Sequence, residues 1–329
     1  MSDPGERERI INRRISIAPM MDWTDKHCRY LFRLLTKNAL LYSEMVVAKA
    51  VCHAGPERFL SFNQEEHPIA LQLGGSVADE LARCAKLGEQ YGYDEINLNI
   101  GCPSDRVQSG RFGVCLMKEP QLVADCVAAM RAVVAIPVTV KTRIGVDDQD
   151  SYQALHQFIE TVARTGCETF IIHARKAWLQ GLSPKQNRDI PPLQYQRVYQ
   201  LKRDFPDLEI IINGGISDYD SIHQHLHNVD GVMIGRKAYQ APYFLSEIDQ
   251  HFYACSTKQV TAVEILQQYS HYVQRQLDRG VPLASLLRHL MGFFRGVPKG
   301  KQWRRYLSEH IHQKNAGIDV LLSAIELMH

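Results

Sequence analysis

Asn97-Leu98-Asn99-Ile100-Gly101-Cys102-Pro103-Ser104 is the stretch on which the reading of this chain turns. From Asp94 to Ile100, apolar and polar residues alternate with the period of a strand. The run stops at a glycine, a cysteine and a proline. Gly101 admits a turn that a side chain would obstruct. Pro103 fixes its own φ and pushes Cys102 toward an extended conformation. A thiol on a stiff turn at the carboxyl end of a strand is aimed at something. The alternative is a small apolar cysteine filling a gap.

Seven further β-rich runs surround this one, at residues 15–18, 39–43, 69–73, 137–141, 169–173, 209–212 and 231–234. Between them lie segments with 3.6-residue apolar spacing, clearest at 77–91, 121–134 and 152–165. Ser76 and Ser151 are placed to cap two of these helices, and Gly92 and Gly166 to stop them. Eight strands alternating with helices predict an α/β fold, a (β/α)8 TIM barrel. A doubly wound open sheet would carry fewer strands and a G-x-G-x-x-G turn, which is absent. Beyond about residue 243 the β-runs end, and 260–279, 283–294, 303–313 and 318–328 read as helices. The expected organisation is a flexible N-terminus at 1–12, a barrel at 13–244 and an all-helical domain at 245–329.

Composition narrows the class. The chain has 329 residues, 45% hydrophobic and 22% charged, as in soluble globular proteins. A net charge of +2 rules out a polycation, so any nucleic-acid surface is local. The eight cysteines form no C-x-x-C pair and read as reduced thiols. No signal peptide is expected from the charged N-terminus. The longest apolar-rich stretch, 123–140, is broken by Asp125, Arg131 and Pro137, against a membrane span. These features point to a cytoplasmic protein with no structural metal. His223, His225 and His227 invite a metal reading, but on a helix i and i+2 do not share a face. They read as surface histidines.

The active site of such a barrel lies at the carboxyl ends of its strands. Those ends offer Pro19, Met20 and Met21, then Gln72, then Asn99 and Cys102, then Lys141 and Arg143, then His173 and Arg175. The last two runs end in Asn213-Gly214-Gly215 and Gly235-Arg236. Glycine amides after these strands suit a phosphate, with Arg236 as counter-charge, though each alone could be a tight turn. Gln72 and Lys141 suit the two edges of a flat heterocycle such as a flavin. Lys141 could instead form a Schiff base or neutralise a carboxylate, and His173 could be a satisfied core histidine. Residues 105–113 read as a loop that closes over substrate. Between His271 and Lys314, nine basic residues face two acids. Lys299, Lys301, Arg304 and Arg305 beside Trp303, with Arg295, form the candidate RNA surface. Lys176, Lys185 and Arg188, after the sixth run, could form an opposite wall.

The wording of Ala18-Pro19-Met20-Met21-Asp22-Trp23-Thr24-Asp25, Leu98–Ser104, Arg111-Phe112-Gly113, His173-Ala174-Arg175-Lys176 and Asn213-Gly214-Gly215-Ile216 resembles the tRNA-dihydrouridine synthases, specifically their A subfamily. The resemblance implies an FMN-dependent barrel, NADPH as reductant, a helical tRNA-binding domain and no membrane attachment. The expected state is a monomer. The resemblance implies that Pro19, Met20, Met21, Gln72, Lys141 and His173 contact the flavin. Asn213, Gly214, Gly215, Gly235 and Arg236 would hold its phosphate. Asn99 would touch the target base, with Arg143, Arg175 and the basic residues above on the tRNA. Uridines 20 and 20a of the D-loop would be the targets. Hydride from flavin N5 would go to C6 and a proton from Cys102 to C5. A cysteine suits the second role, since an ordinary thiol pKa near ~8.5 leaves it protonated at neutral pH. Cys115 reads as packed. Two other classes remain: a barrel acting on a free pyrimidine, which needs no basic domain, and an RNA-binding barrel without catalysis, which needs no flavin positions.

Overall fold

The computed structural model of the chain describes residues 11–253 and 260–328. Most of the segment expected to be a flexible N-terminus, and Cys255, lie outside the described residues. Nine strands form one parallel sheet: β1 (Ile15–Ile17), β2 (Leu41–Tyr42), β3 (Val46–Val47), β4 (Ile69–Gly74), β5 (Glu95–Ile100), β6 (Val138–Arg143), β7 (Thr169–His173), β8 (Glu209–Asn213) and β9 (Gly231–Ile234). Their order is β1-β9-β8-β7-β6-β5-β4-β2, with β3 beside the carboxyl end of β4. A parallel bridge between Ser16 and Leu40 closes the ring. Eight staves and surrounding helices make the expected (β/α)8 barrel. β3 was not anticipated, because two residues are too few to show a period.

Alternation in the strands sorts two layers. Ile96, Leu98 and Ile100 of β5 face outward with Val138, Val140, Phe170, Ile172, Ile210 and Ile212, packing under the helices Ala78–Gln90, Pro120–Arg131 and Tyr152–Ala163. Each such fully buried side chain contributes about 1.5–3 kcal/mol. A second cluster holds no helix residue: Ala18, Leu40, Tyr42, Ala70, Ile171, Ile211 and Met233 fill the barrel interior. The polar residues of β4, β5 and β6 point into that same interior rather than to water.

Local chemistry explains the helix ends. Ser151 accepts the Ala154 N–H as expected. Ser76 does not cap: Val77 holds the cap position and makes no side-chain cap bond. Gly92 and Gly166 stop their helices with φ of 94° and 85°. The helix expected over 283–294 is broken into Leu283–Leu287 and a 3-10 turn at Arg288–Leu290. Here the chain runs against the barrel so closely that a Cβ on Gly292 would lie 2.3 Å from the Gln240 carbonyl oxygen.

Helices Ala262–Asp278, Gly300–His310 and Ile318–Glu326 complete the C-terminal region. It docks on the first barrel helix, Lys26–Leu35. Tyr30 stacks on Tyr272 at 3.9 Å between centroids, and His27 Nδ1 lies 2.6 Å from the Tyr272 hydroxyl. Trp303 is not beside the basic cluster as a surface aromatic. It is fully buried, donating from Nε1 to the Leu290 carbonyl at 2.8 Å. His225 is likewise no surface histidine: it is buried, with Nδ1 2.7 Å from the Tyr199 hydroxyl. No group of three or more potential metal ligands occurs among the described residues, and no helix among them is long and apolar enough to cross a membrane.

Candidate active site

The carboxyl ends of the strands open into a cleft of about 1140 Å3. Pro19, Met20, Met21, Gln72, Asn99, Cys102, Lys141, Arg143, His173, Arg188, Asn213, Gly214, Gly215, Gly235 and Arg236 all line it. Register brings them together: Gln72 pairs with Asn97, Asn99 with Lys141, Arg143 with His173, and His173 with Asn213.

The Cys102 turn is built differently from the expectation. Gly101 does not take a positive φ, and a Cβ there would meet nothing closer than 3.6 Å. The glycine that matters is Gly113. It sits at φ 75°, and a Cβ on it would lie 2.3 Å from Val107 Cγ1 and 2.6 Å from the Cys102 carbonyl oxygen. That carbonyl accepts the Val114 N–H at 3.0 Å. Residues 105–113 are therefore not an open loop. They contain the helix Asp105–Ser109, and Val107 and Phe112 are buried beneath the turn. Asn99 Oδ1 accepts the N–H groups of Gly101 at 3.1 Å and Cys102 at 3.0 Å. The Cys102 Sγ, partly exposed to the cleft, lies 3.4 Å from Ser104 Oγ. Cys115 instead donates to the Phe112 carbonyl at 3.1 Å, and burial raises its pKa.

Across the cleft, Lys141 Nζ donates to Asn213 Oδ1 at 3.1 Å. Burial, then the charge of Arg143, push the Lys141 amine down to about 7. Arg143 spans the Gly101 carbonyl at 2.8 Å and the Asn187 carbonyl at 3.0 Å, tying β6 to the loop after β7. Burial, with Arg143, Lys141, Arg175 and Arg236 nearby, holds His173 well below the usual imidazole range. Its Nδ1 is buried without a partner. Gly214 and Gly215 turn with φ of 121° and 74°, and Arg236 Nη1 pairs with Asp189 at 2.5 Å.

The outlying candidates divide. Arg175 bonds the Asp189 and Pro191 carbonyls. Lys176 pairs with Asp150 at 2.9 Å and lies over the Trp178 ring, so neither lines the cleft; nor does Lys185. Arg295, Lys299, Arg304 and Arg305 are exposed on the helical region. That region meets the cleft rim where Arg288 pairs with Asp25 at 2.6 Å and Arg295 approaches Gln240 at 3.4 Å. One strand end was left without a role. Ser43, Glu44 and Met45, after β2, also line the cleft, and Ser43 Oγ accepts the Gln72 N–H at 2.9 Å. Applying the strand-end rule to that run too would have found them.

Residues 16–328 match the family model described as Dihydrouridine synthase (Dus). The chain is 58% identical over 313 residues to a tRNA-dihydrouridine(20/20a) synthase of Vibrio cholerae, covering 95% of both chains. It is 58% identical over 316 residues to the protein of that name from Escherichia coli K12, covering 96% of this chain and 91% of that one. It is 59% identical over 317 residues to the one from Shewanella oneidensis, covering 96% and 94%. Among solved structures, a 2-naphthoyl-CoA reductase complex superposes with a TM-score of 0.57 at 9% identity, over 72% of this chain and 50% of that one, a likeness of fold alone. The chain belongs to the dihydrouridine synthase family.

Proposed function

We propose that this protein reduces uridine to 5,6-dihydrouridine in the D-loop of tRNA, at positions 20 and 20a, with FMN as its flavin and NADPH as reductant. The observation that carries the reading is the single cleft in which Cys102 meets every residue expected to hold a flavin. The curated relatives' names supply the substrate.

The residues present fit a phosphate-bearing flavin. His173 Nδ1 is a buried polar atom awaiting a partner. Gly214 and Gly215 bring bare backbone to the cleft beside Arg236, where side chains would collide with Leu193 at 3.0 and 2.6 Å. Pro19 and Met20 offer an apolar wall, and Gln72 and Lys141 a polar edge. A flavin bound there supplies hydride to C6 of the uracil ring. The protein's own work is the proton and the orientation. Cys102 holds the proton for C5, and Asn99 fixes the backbone of the turn that presents it. Lys141 and Arg143 place positive charge where the reduced pyrimidine carries enolate character.

The uridine has to leave the folded tRNA to enter the cleft. The exposed Arg295, Lys299, Arg304 and Arg305 are the proposed phosphate contacts, with Arg188 at the opposite rim. In this reading the barrel is 13–244 and the tRNA-binding helices 245–329, and the enzyme works in the cytoplasm as a monomer. The test is single-turnover oxidation of the reduced, flavin-loaded protein by bulk tRNA lacking dihydrouridine. Fast oxidation by tRNA, and none by free uracil or orotate, is the expected result. Oxidation by the free pyrimidines alone would move the activity to a metabolic substrate.

A further inference from the structure

The barrel interior contains a polar column that neither the proposed chemistry nor the family's name assigns. It starts at the floor, where Glu95 Oε2 accepts from Arg13 Nε at 2.7 Å. The other oxygen of Glu95 accepts from the hydroxyls of Thr139 at 2.6 Å and Tyr42 at 2.7 Å. Thr139 Oγ1 accepts from Asn97 Nδ2 at 2.8 Å. Asn97 Oδ1 accepts from Gln72 Nε2, and Gln72 Oε1 from Asn99 Nδ2, both at 2.8 Å. Asn99 Oδ1 then receives the Gly101 and Cys102 N–H groups. Glu95, Thr139 and Asn97 are all 0% exposed.

The direction of this column is forced from both ends. As the carboxylate of an ion pair, Glu95 can only accept, so the single hydroxyl proton of Thr139 is committed to it. Thr139 must then accept from Asn97, whose remaining oxygen must accept from Gln72. At the top, backbone N–H groups can only donate, so Asn99 must turn its oxygen to them and its amide nitrogen to Gln72. The two chains of reasoning meet at Gln72 without a conflict. Amide orientation is otherwise a near-symmetric choice, because the two ends of an amide have the same shape. Here the choice is made twice, by the charge at the barrel floor and by the backbone N–H groups of the Cys102 turn, and the two agree.

We propose that Glu95, Thr139 and Asn97 are the positioning residues of the active site, holding the Gln72 amide from below and, through its bond to Asn99, the attitude of the turn that carries Cys102. The column leaves Gln72 one N–H and one lone pair of fixed direction for the ligand in the cleft. It also leaves the Cys102 turn no freedom to rotate its amides. The inference rests on the reading of the cleft as the catalytic site, but it can be tested without turnover.

The test uses Thr139→Val, which keeps shape and removes the hydroxyl, beside Thr139→Ser, which keeps the hydroxyl. Tyr42→Phe is the control: it deletes a buried bond to the same carboxylate but lies outside the column. The first readout is the pH profile of Cys102 alkylation by iodoacetamide in the ligand-free protein, followed by peptide mass spectrometry. The second is kcat and KM on tRNA, with melting temperature recorded for every variant. Thr139→Val is expected to shift the alkylation profile and lower kcat roughly tenfold with KM little changed, as a displaced reactive group does. Thr139→Ser and Tyr42→Phe should match the wild type in both. If Thr139→Val proves too unstable to purify, Asn97→Leu breaks the column at the next link and is read the same way. An alkylation profile unchanged by the broken column, or changed equally by Tyr42→Phe, would overturn the proposal. If the wild type failed to act on tRNA at all, the proposed substrate would fall, while the alkylation comparison would still decide the column.

Discussion

The barrel interior has two unlike halves. On one side Ala18, Leu40, Ala70, Ile171, Ile211 and Met233 meet as an apolar plug. On the other, Gln72, Glu95, Asn97, Asn99 and Thr139 form a polar column reaching from floor to cleft. The plug needs only volume and burial, so it is tolerant. The column needs every donor matched to an acceptor, so it is specific. Stability can be drawn from either half, but orientation of the reactive groups comes only from the polar one.

The sharpest way to break this contrast is at the column's top. Cys102→Ala should slow single-turnover reduction of tRNA about 10²–10⁴-fold, the usual worth of a positioned proton donor, with the melting temperature unchanged. Stopped-flow flavin absorbance reads it, and an unaltered rate would remove Cys102 from the chemistry. At the floor, Glu95→Leu leaves Arg13 with Glu209 alone and takes the acceptor from two buried hydroxyls, and should cost about 1–3 kcal/mol for each group left unpaired, read by urea unfolding. In the plug, Ile211→Ala should cost about 2–5 kcal/mol of stability, yet leave Cys102 reactivity and flavin binding as they were. Altered Cys102 reactivity there would mean the halves are not separable.

A gentler probe is pH. Folding lowers the Lys141 pKa from 10.5 to about 7. Between those values the unfolded chain holds a proton that the folded protein lacks, so stability of the ligand-free protein rises with pH across that window. Lys141→Met should flatten this part of the stability curve, measured by chemical unfolding from pH 7 upward. The smallest effect is expected far from both halves. Arg304→Gln and Arg305→Gln should each weaken tRNA binding evenly and reduce the salt-dependence slope by about 1, with kcat untouched. Slopes equal to the wild type would take these two residues off the RNA.

The eight-stave barrel and its strand-end residues were legible because strand period, glycine stops and the carboxyl-end rule are all local signals. Other features were decided by packing. His225 is a polar-tipped residue on a helix with polar neighbours, and pattern alone put it outside; packing buried it, as it buried Trp303 beneath its basic neighbours, and found each a partner. Residues 105–113 read as a loop because polar residues and glycines usually mark loops, yet they hold the helix Asp105–Ser109. Val107 and Phe112 instead anchor them under the Cys102 turn.

The alternation in Glu95–Ile100 contains the deepest division between chain and fold. The period by itself established a strand with two faces, and the Gly-Cys-Pro ending placed a thiol at its carboxyl end. It could not say which face met water. Closure of the ring through Ser16 and Leu40 turned the polar face inward and the apolar face toward the helices. Whether a buried asparagine is a liability or a link depends on partners on other strands, and only the pairing of β4 and β6 against β5 brings those partners within hydrogen-bonding distance.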